Sequence, residues 1–136
     1  MSDSASKPRP QFRNIGITDL MAYRLPMAGK VSILHRVSGA LLFLCLPGLI
    51  ALFAMSFSSE AGFKAMSTVV GFPLVKLILL VLIWGYLHHF CAGIRYLFLD
   101  LEMGVDKAAA NRSAISVMIV SLALTAILGL RLFGVF

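Results

Sequence analysis

The chain has 136 residues, of which 60% are hydrophobic and only 13% are charged, and its mean hydropathy is +0.93. This composition excludes a soluble domain of this size and indicates a small integral membrane protein. The net charge of +6 comes from basic residues at the ends of apolar stretches rather than from a basic cluster with interleaved aromatics, so it does not indicate nucleic-acid binding.

Residues 1–30 are predicted to form a polar N-terminal arm on the cytoplasmic side. Pro8, Pro10 and Pro26 interrupt the arm, since proline breaks a helix interior, and a short helix is expected near residues 17–23. The arm has no apolar run ahead of a small-residue cleavage site, and it contains acidic residues. We therefore expect neither a signal peptide nor a transit peptide.

Three apolar stretches follow, at residues 31–57, 71–99 and 113–136. Each exceeds the roughly 20 residues that a helix needs to cross the hydrocarbon core, and the alternation of a lipid-facing barrel strand is absent. The sequence therefore predicts an all-α membrane protein, in which one domain at 31–136 holds three transmembrane helices. The connecting loops are expected at about residues 58–72 and 102–112.

Lysine and arginine are unevenly distributed over the flanks of these helices. The arm holds five of them, and Arg95, Lys107 and Arg112 flank the second loop, whereas the first loop has Lys64 and the C-terminus has Arg131. Because cytoplasmic flanks carry the excess of basic residues, the N-terminus and the second loop are predicted to be cytoplasmic. We expect a multi-pass protein of the bacterial inner membrane, with Arg95 as an interfacial anchor.

Helix 1 carries a polar face made of Ser32, His35, Arg36 and Gly39, which are spaced i, i+3, i+4 and i+7. One interpretation is a snorkelling Arg36 with a polar contact between helices. The other is a site for a ligand with carbonyl or carboxylate oxygens, because arginine offers several donors in a fixed fork and serine offers one more.

Helix 2 carries two adjacent histidines, His88 and His89, which point about 100° apart and cannot both bind one metal from the same face. Gly85 and Gly93 lie one turn either side of His89 and leave room for a flat macrocycle, whereas Trp84 would crowd one at His88. This pattern favours His89 as an axial ligand of haem iron. Alternatively, the glycines allow close helix packing and both histidines only bond neighbouring carbonyls.

Taken together, Ser-Ile-Leu-His-Arg-Val-Ser-Gly at 32–39 and His-x-x-x-Gly-Ile-Arg-Tyr-Leu-Phe-Leu-Asp at 89–100 resemble the cytochrome b membrane-anchor subunit of succinate dehydrogenase. Arg9 with Pro10, and the segment 23–26, also fit this family, and the match covers nearly the whole chain. Two features depart from the family pattern. Tyr96 stands where a second histidine is often found, and the arm lacks a Ser-Pro-His-Leu segment beyond Arg-Pro.

The resemblance implies that His89 is the axial ligand of a haem b, with His35 and Arg36 near the haem propionates. It also implies that Ser32 and Arg36 line a ubiquinone pocket near the cytoplasmic side. The remaining axial ligand would come from a second small hydrophobic anchor subunit, which shares the haem.

A flavoprotein subunit and an iron–sulfur subunit are further implied partners, which would deliver electrons from succinate to ubiquinone. This chain has no dinucleotide-binding glycine fingerprint, and Cys45 and Cys91 lack the spacing of a cluster or zinc site, so that chemistry is expected in other subunits. Two alternatives stay open at this point. One is the anchor of a quinol-fumarate reductase, and the other is a non-redox scaffold or transporter subunit in which the histidines and arginines only pack.

Overall fold

The computed structural model describes residues 16–135, except for the side chains of residues 20 and 21, and these residues form helices only. In chain order the helices are α1 (Ile17–Ala22), α2 (Met27–Ser58), α3 (Glu60–Gly71), α4 (Pro73–Asp100) and α5 (Lys107–Leu132). Within the described part, α2, α4 and α5 are long and apolar enough to cross a membrane. The predicted all-α class with three spanning helices is thus confirmed, as is the short helix in the arm. Arg9 and Pro10 lie outside the described residues.

The starts of two spanning helices differ from the predicted bounds because local signals set them rather than hydropathy: a proline ahead of α2 and a side-chain cap ahead of α5. α2 begins at Met27 rather than at 31, with Pro26 in extended backbone at its N-cap. α5 begins at Lys107 rather than at 113, because the Asp106 carboxylate accepts from the backbone N–H groups of Ala108 and Ala109 at 3.1 and 3.0 Å. Polar first turns of this kind lie ahead of the apolar run that hydropathy detects.

The predicted first loop contains the additional helix α3. Ser59 caps this helix by accepting from the Gly62 N–H at 3.0 Å, and Glu60 lies in its first turn, where a carboxylate is favoured by the helix dipole. Phe72 separates α3 from α4, which starts with Pro73 at a position that tolerates proline. α3 contacts both α2 and α4.

The central helix of the bundle is α4, which packs against both α2 and α5. The core is built from small side chains: Val31, Ala92, Ala114 and Val117. α5 also buries Ser121 and Thr125, whose hydroxyls donate to carbonyls of their own helix. Small interfacial residues let membrane helices approach closely, and the large apolar side chains point outward instead, as at Phe43 and Leu44.

Candidate functional site

His89 lies in the middle of α4 and faces α2. Its ring stacks on the His35 ring, with centroids 4.1 Å apart and 13° between the planes. His89 Nδ1 lies 3.0 Å from the His35 carbonyl oxygen and 3.4 Å from Ser38 Oγ. Because a carbonyl oxygen can only accept a hydrogen bond, Nδ1 carries the ring proton and its N–H donates a hydrogen bond to the His35 carbonyl oxygen. The Nε2 atom therefore keeps its lone pair, and it forms no hydrogen bond with any described residue.

This hydrogen bonding is the arrangement in which imidazoles bind metals. A ligating histidine commonly donates its second ring N–H to a backbone carbonyl, which fixes both the tautomer and the ring orientation. Ser38 supports the same carbonyl, since its hydroxyl donates to the His35 oxygen at 3.0 Å and its side chain is buried. One backbone oxygen of α2 thus orients the imidazole of α4.

Gly39 makes room for the His89 ring. A Cβ atom at residue 39 would lie 2.7 Å from His89 Cε1, which is closer than real Cβ atoms approach, and 3.1 Å from His89 Nδ1, which is tighter than most real contacts. Any side chain here would displace the ring from the His35 carbonyl. The sequence placed Gly39 on the polar face of helix 1, but its contact with His89 is visible only in the fold.

The two glycines that flank His89 also face α2. A Cβ at residue 85 would lie 3.9 Å from Ser38 Cβ, and a Cβ at residue 93 would lie 3.9 Å from His35 Nε2, both ordinary contacts. Within this chain, α2 therefore packs over both glycines, in agreement with the interpretation that they allow close helix approach. What distinguishes His89 from the other histidines is the hydrogen bond that fixes its Nδ1 and leaves Nε2 free, rather than the glycine spacing.

An apolar groove of about 270 Å³ lies between α2 and α4, on the side of His89 that leads toward α3. Its lining includes Leu42, Leu49, Ile83, Tyr86 and Leu87. Tyr86 precedes His89 by one turn and Leu42 follows Gly39 by one turn, so the groove continues the faces that carry the imidazole. An apolar wall beside an imidazole with a free nitrogen fits the donor set and the surface of a haem.

His88 occupies a different environment from its neighbour. Its side chain is completely buried, and its ring nitrogens make no hydrogen bond of good geometry within the described residues, with the Val31 backbone as a weak polar neighbour. The Trp84 ring lies against it, with centroids 5.3 Å apart, as the one-turn spacing predicts. The indole covers His88, and no route from the surface of the bundle reaches its nitrogens.

The other predicted site residues extend the site along α2 toward its N-terminal end. His35 contacts Tyr96 as well as His89, with ring centroids 5.1 Å apart. Arg36 is exposed, and its guanidinium has no hydrogen bond or ion pair with a described residue. Ser32 lies one turn before Arg36, is half-buried, and makes no hydrogen bond with a described residue. His35 and His89 are thus in direct contact, whereas Ser32 and Arg36 share only the helix face.

Arg95 is the functional candidate whose environment the sequence did not indicate. Its side chain is only 7% exposed, Nε donates to Ser113 Oγ at 3.0 Å, and Nη2 donates to the Ala110 carbonyl at 3.1 Å. The expected interfacial anchor is therefore corrected to a buried guanidinium that joins α4 to α5. Arg95 and Ser113 are 18 residues apart, and they meet only because the α4–α5 connection turns the chain back. No local sequence pattern predicts this contact.

The described residues contain no group of three or more His, Cys, Asp or Glu side chains that could hold a metal ion. Cys45 and Cys91 are free thiols in separate helices. The described residues alone therefore do not supply a complete set of metal ligands at this site.

Comparison with known proteins relates the chain to one family. A family model described as "Succinate dehydrogenase/Fumarate reductase transmembrane subunit" matches residues 7–128. The chain is 30% identical to the succinate dehydrogenase cytochrome b556 subunit of Rickettsia bellii over 109 residues, which cover 80% of this chain and 85% of that protein.

Two further relatives carry the same name. The subunit of Coxiella burnetii is 32% identical over 104 residues, which cover 76% of this chain and 83% of that protein. The subunit of Paracoccus denitrificans is 32% identical over 117 residues, which cover 86% of this chain and 89% of that protein.

Proposed function

Because the chain belongs to the succinate dehydrogenase/fumarate reductase transmembrane subunit family, we propose that it is the haem b-binding membrane anchor of a succinate dehydrogenase. It is a multi-pass membrane protein with three spanning helices. The cytochrome b556 in the names of its relatives supports the assignment of a b-type haem. The observation that carries the proposal is His89, with its Nδ1 proton donated to the His35 carbonyl and its Nε2 free.

The haem, when bound, supplies a one-electron carrier between the electron donors of the complex and the quinone. His89 Nε2 would bind the haem iron, and the His35 carbonyl holds the ring in the tautomer that ligation would need. The apolar groove one turn from His89 would help to keep water from the haem, and His35 and Arg36 would hold its propionates. A second small hydrophobic anchor subunit would supply the other ligand of the iron.

Ser32 and Arg36 are proposed to bind ubiquinone near the cytoplasmic end of α2. Both side chains are without a hydrogen bond to a described residue, so their donors are available to the quinone oxygens. Hydrogen bonds from an arginine strengthen as negative charge develops on the acceptor, so these donors favour the reduced quinone over the oxidised one. The Arg36 guanidinium is exposed, which suits a substrate that enters from the bilayer.

The soluble partners are proposed to be a flavoprotein subunit and an iron–sulfur subunit that dock on the cytoplasmic face. The basic residues of the arm and of the α4–α5 connection support a cytoplasmic N-terminus in a bacterial inner membrane. Large apolar side chains on α2, such as Phe43 and Phe53, remain exposed in the isolated chain and suit contact with the second anchor subunit or with lipid.

The test of the proposed function uses the whole purified complex. We expect a b-type haem spectrum and succinate-dependent reduction of ubiquinone. A colourless complex that does not reduce quinone would favour a scaffold or transporter subunit instead. Quinol-dependent reduction of fumarate that greatly exceeds the succinate reaction would assign the chain to a quinol-fumarate reductase, whereas the names of its relatives favour succinate oxidation.

Ser32→Ala is expected to raise the KM for ubiquinone by about 5-fold, because the hydrogen bond to the neutral quinone that it removes contributes about 1 kcal/mol. Electron transfer from succinate to a soluble dye, which bypasses the quinone, should be unchanged. Ser56→Ala is the matched control, since Ser56 lies on the same helix and its hydroxyl bonds only the Phe53 carbonyl. Equal effects of the two substitutions on KM would contradict a quinone contact at Ser32.

A further inference from the structure

A second groove lies between α4 and α5, away from the His89 site, beside the connection between the two helices. Its volume is about 470 Å³, which is within the range of ligand pockets. Most of its lining is apolar, with Ile94, Phe98 and Leu99 on α4 and Val117 and Val120 on α5. The groove is open along the side of the bundle, where hydrocarbon surrounds a spanning helix.

Arg95 is the only charged residue among the described residues that line this groove. Its side chain is more than nine-tenths buried, and its two hydrogen bonds go to neutral acceptors, the Ser113 hydroxyl and the Ala110 carbonyl. It forms no ion pair with a described residue, its Nη1 makes no hydrogen bond among them, and its further contact is with the neutral Tyr96 ring, whose centroid lies 5.5 Å from Cζ. A buried cation without a counter-ion is costly in a membrane, so an anionic group beside Arg95 would stabilise it.

The acidic side chains of the α4–α5 connection do not supply that group. Asp106 is committed to the N-terminal N–H groups of α5, and neither Asp100 nor Glu102 lines the groove. Lys107 and Arg112 are exposed at the start of α5 and add positive charge near the same end of the bundle. The counter-ion must therefore come from outside the described part of the chain.

We propose that this groove binds one anionic phospholipid, with its phosphate on the Arg95 guanidinium and one acyl chain along the apolar wall. The planar fork of arginine matches phosphate oxygens, and basic pockets between membrane helices bind anionic lipid headgroups. The combination of a single buried cation and an open apolar groove matches a lipid with both a charged head and a long chain. A zwitterionic lipid offers the same phosphate but brings a cationic headgroup toward Arg95, Lys107 and Arg112, which disfavours it, and a free phosphate leaves the apolar wall empty.

The experiment compares lipid retention by the whole complex. Purified complex is exchanged into vesicles that contain equal shares of phosphatidylcholine and phosphatidylglycerol, is re-extracted with mild detergent, and its bound lipids are counted by native mass spectrometry. The wild-type complex is expected to retain one phosphatidylglycerol in preference to phosphatidylcholine. Arg95→Gln is expected to reduce this retention about 10-fold, because it removes a charge-assisted hydrogen bond to phosphate.

Two further variants separate binding at the groove from general effects. Arg112→Gln makes the same change at an exposed arginine nearby and should retain the lipid as the wild type does. Ser116→Phe places a ring in the groove and leaves Arg95 unchanged, so this variant should also lose the lipid. It tests the proposal independently if the Arg95→Gln complex does not assemble. The proposal is overturned if the wild type retains phosphatidylcholine and phosphatidylglycerol equally, or if Arg95→Gln and Arg112→Gln retain the same amount of lipid. Retention of the lipid by Ser116→Phe would also overturn it, as would a quinone or a helix of a partner subunit found in the groove.

Discussion

Replacing His89 with alanine is expected to remove the b-type haem absorption from the assembled complex, whereas His88→Leu is expected to preserve it. His89 offers a free Nε2 because its Nδ1 proton is held by the His35 carbonyl at 3.0 Å. His88 is the matched control on the same helix, since it is fully buried and its nitrogens face no surface. Reduced-minus-oxidised spectra, normalised to the flavin content of the complex, measure the difference.

Added imidazole separates loss of the ligand from loss of the fold. The alanine leaves a space beside Gly39 that a free imidazole can fill, so part of the haem absorption should return in His89→Ala. Succinate oxidation with a soluble dye should persist in the same preparation, because the chain contributes nothing to that reaction in the proposed complex. Haem absorption that survives in His89→Ala but disappears in His88→Leu would transfer the ligand to His88.

Gly39→Ala is expected to lower haem occupancy of the complex by about 10- to 100-fold, which is the usual effect of disturbing the group that orients a metal ligand. The new Cβ would lie 2.7 Å from His89 Cε1, and the backbone of α2 cannot move away without losing its contacts with α4. The imidazole must therefore turn from the His35 carbonyl. Haem occupancy and the haem midpoint potential of the remaining fraction both report this change.

Gly48→Ala is the matched control for that substitution. It lies on the same helix, and a Cβ there would meet no atom within 4 Å. Because alanine is the better helix former, this variant should be as stable as the wild type or slightly more stable, with an unchanged haem spectrum. A normal spectrum and a normal midpoint potential in Gly39→Ala would mean that the close approach of Gly39 has no role in orienting His89.

Those parts of the fold that hydropathy determines could be predicted from the sequence. The three spanning helices follow from the length of the apolar stretches, which exceed what a bilayer needs. The start of α5 and the whole of α3 were missed for another reason, because Asp106 and Ser59 begin these helices with side-chain caps in polar turns. Such caps are local signals, but hydropathy does not contain them, and α3 is too short to cross a membrane.

The sequence indicated most residues of the candidate site, but it did not indicate the contacts among them. His35, Gly39 and His89 are recognisable from their spacing and from the family resemblance, and the fold brings these three together. Ser38 was missed because it lies beside the polar face rather than on it, although its spacing from His35 would have placed its hydroxyl near that carbonyl. The decisive hydrogen bond joins a side chain of α4 to a backbone oxygen of α2, and backbone acceptors leave no signature in residue types.

The carbonyl that orients His89 belongs to the same polypeptide, so the imidazole is aimed as soon as α2 and α4 pack. The rotational freedom of that ring is therefore lost when the subunit folds, before any cofactor binds. Because this entropy is not lost again at binding, a preorganised ligand binds more tightly. In the proposed complex, this chain would therefore present an oriented imidazole before the haem and the second anchor subunit join it.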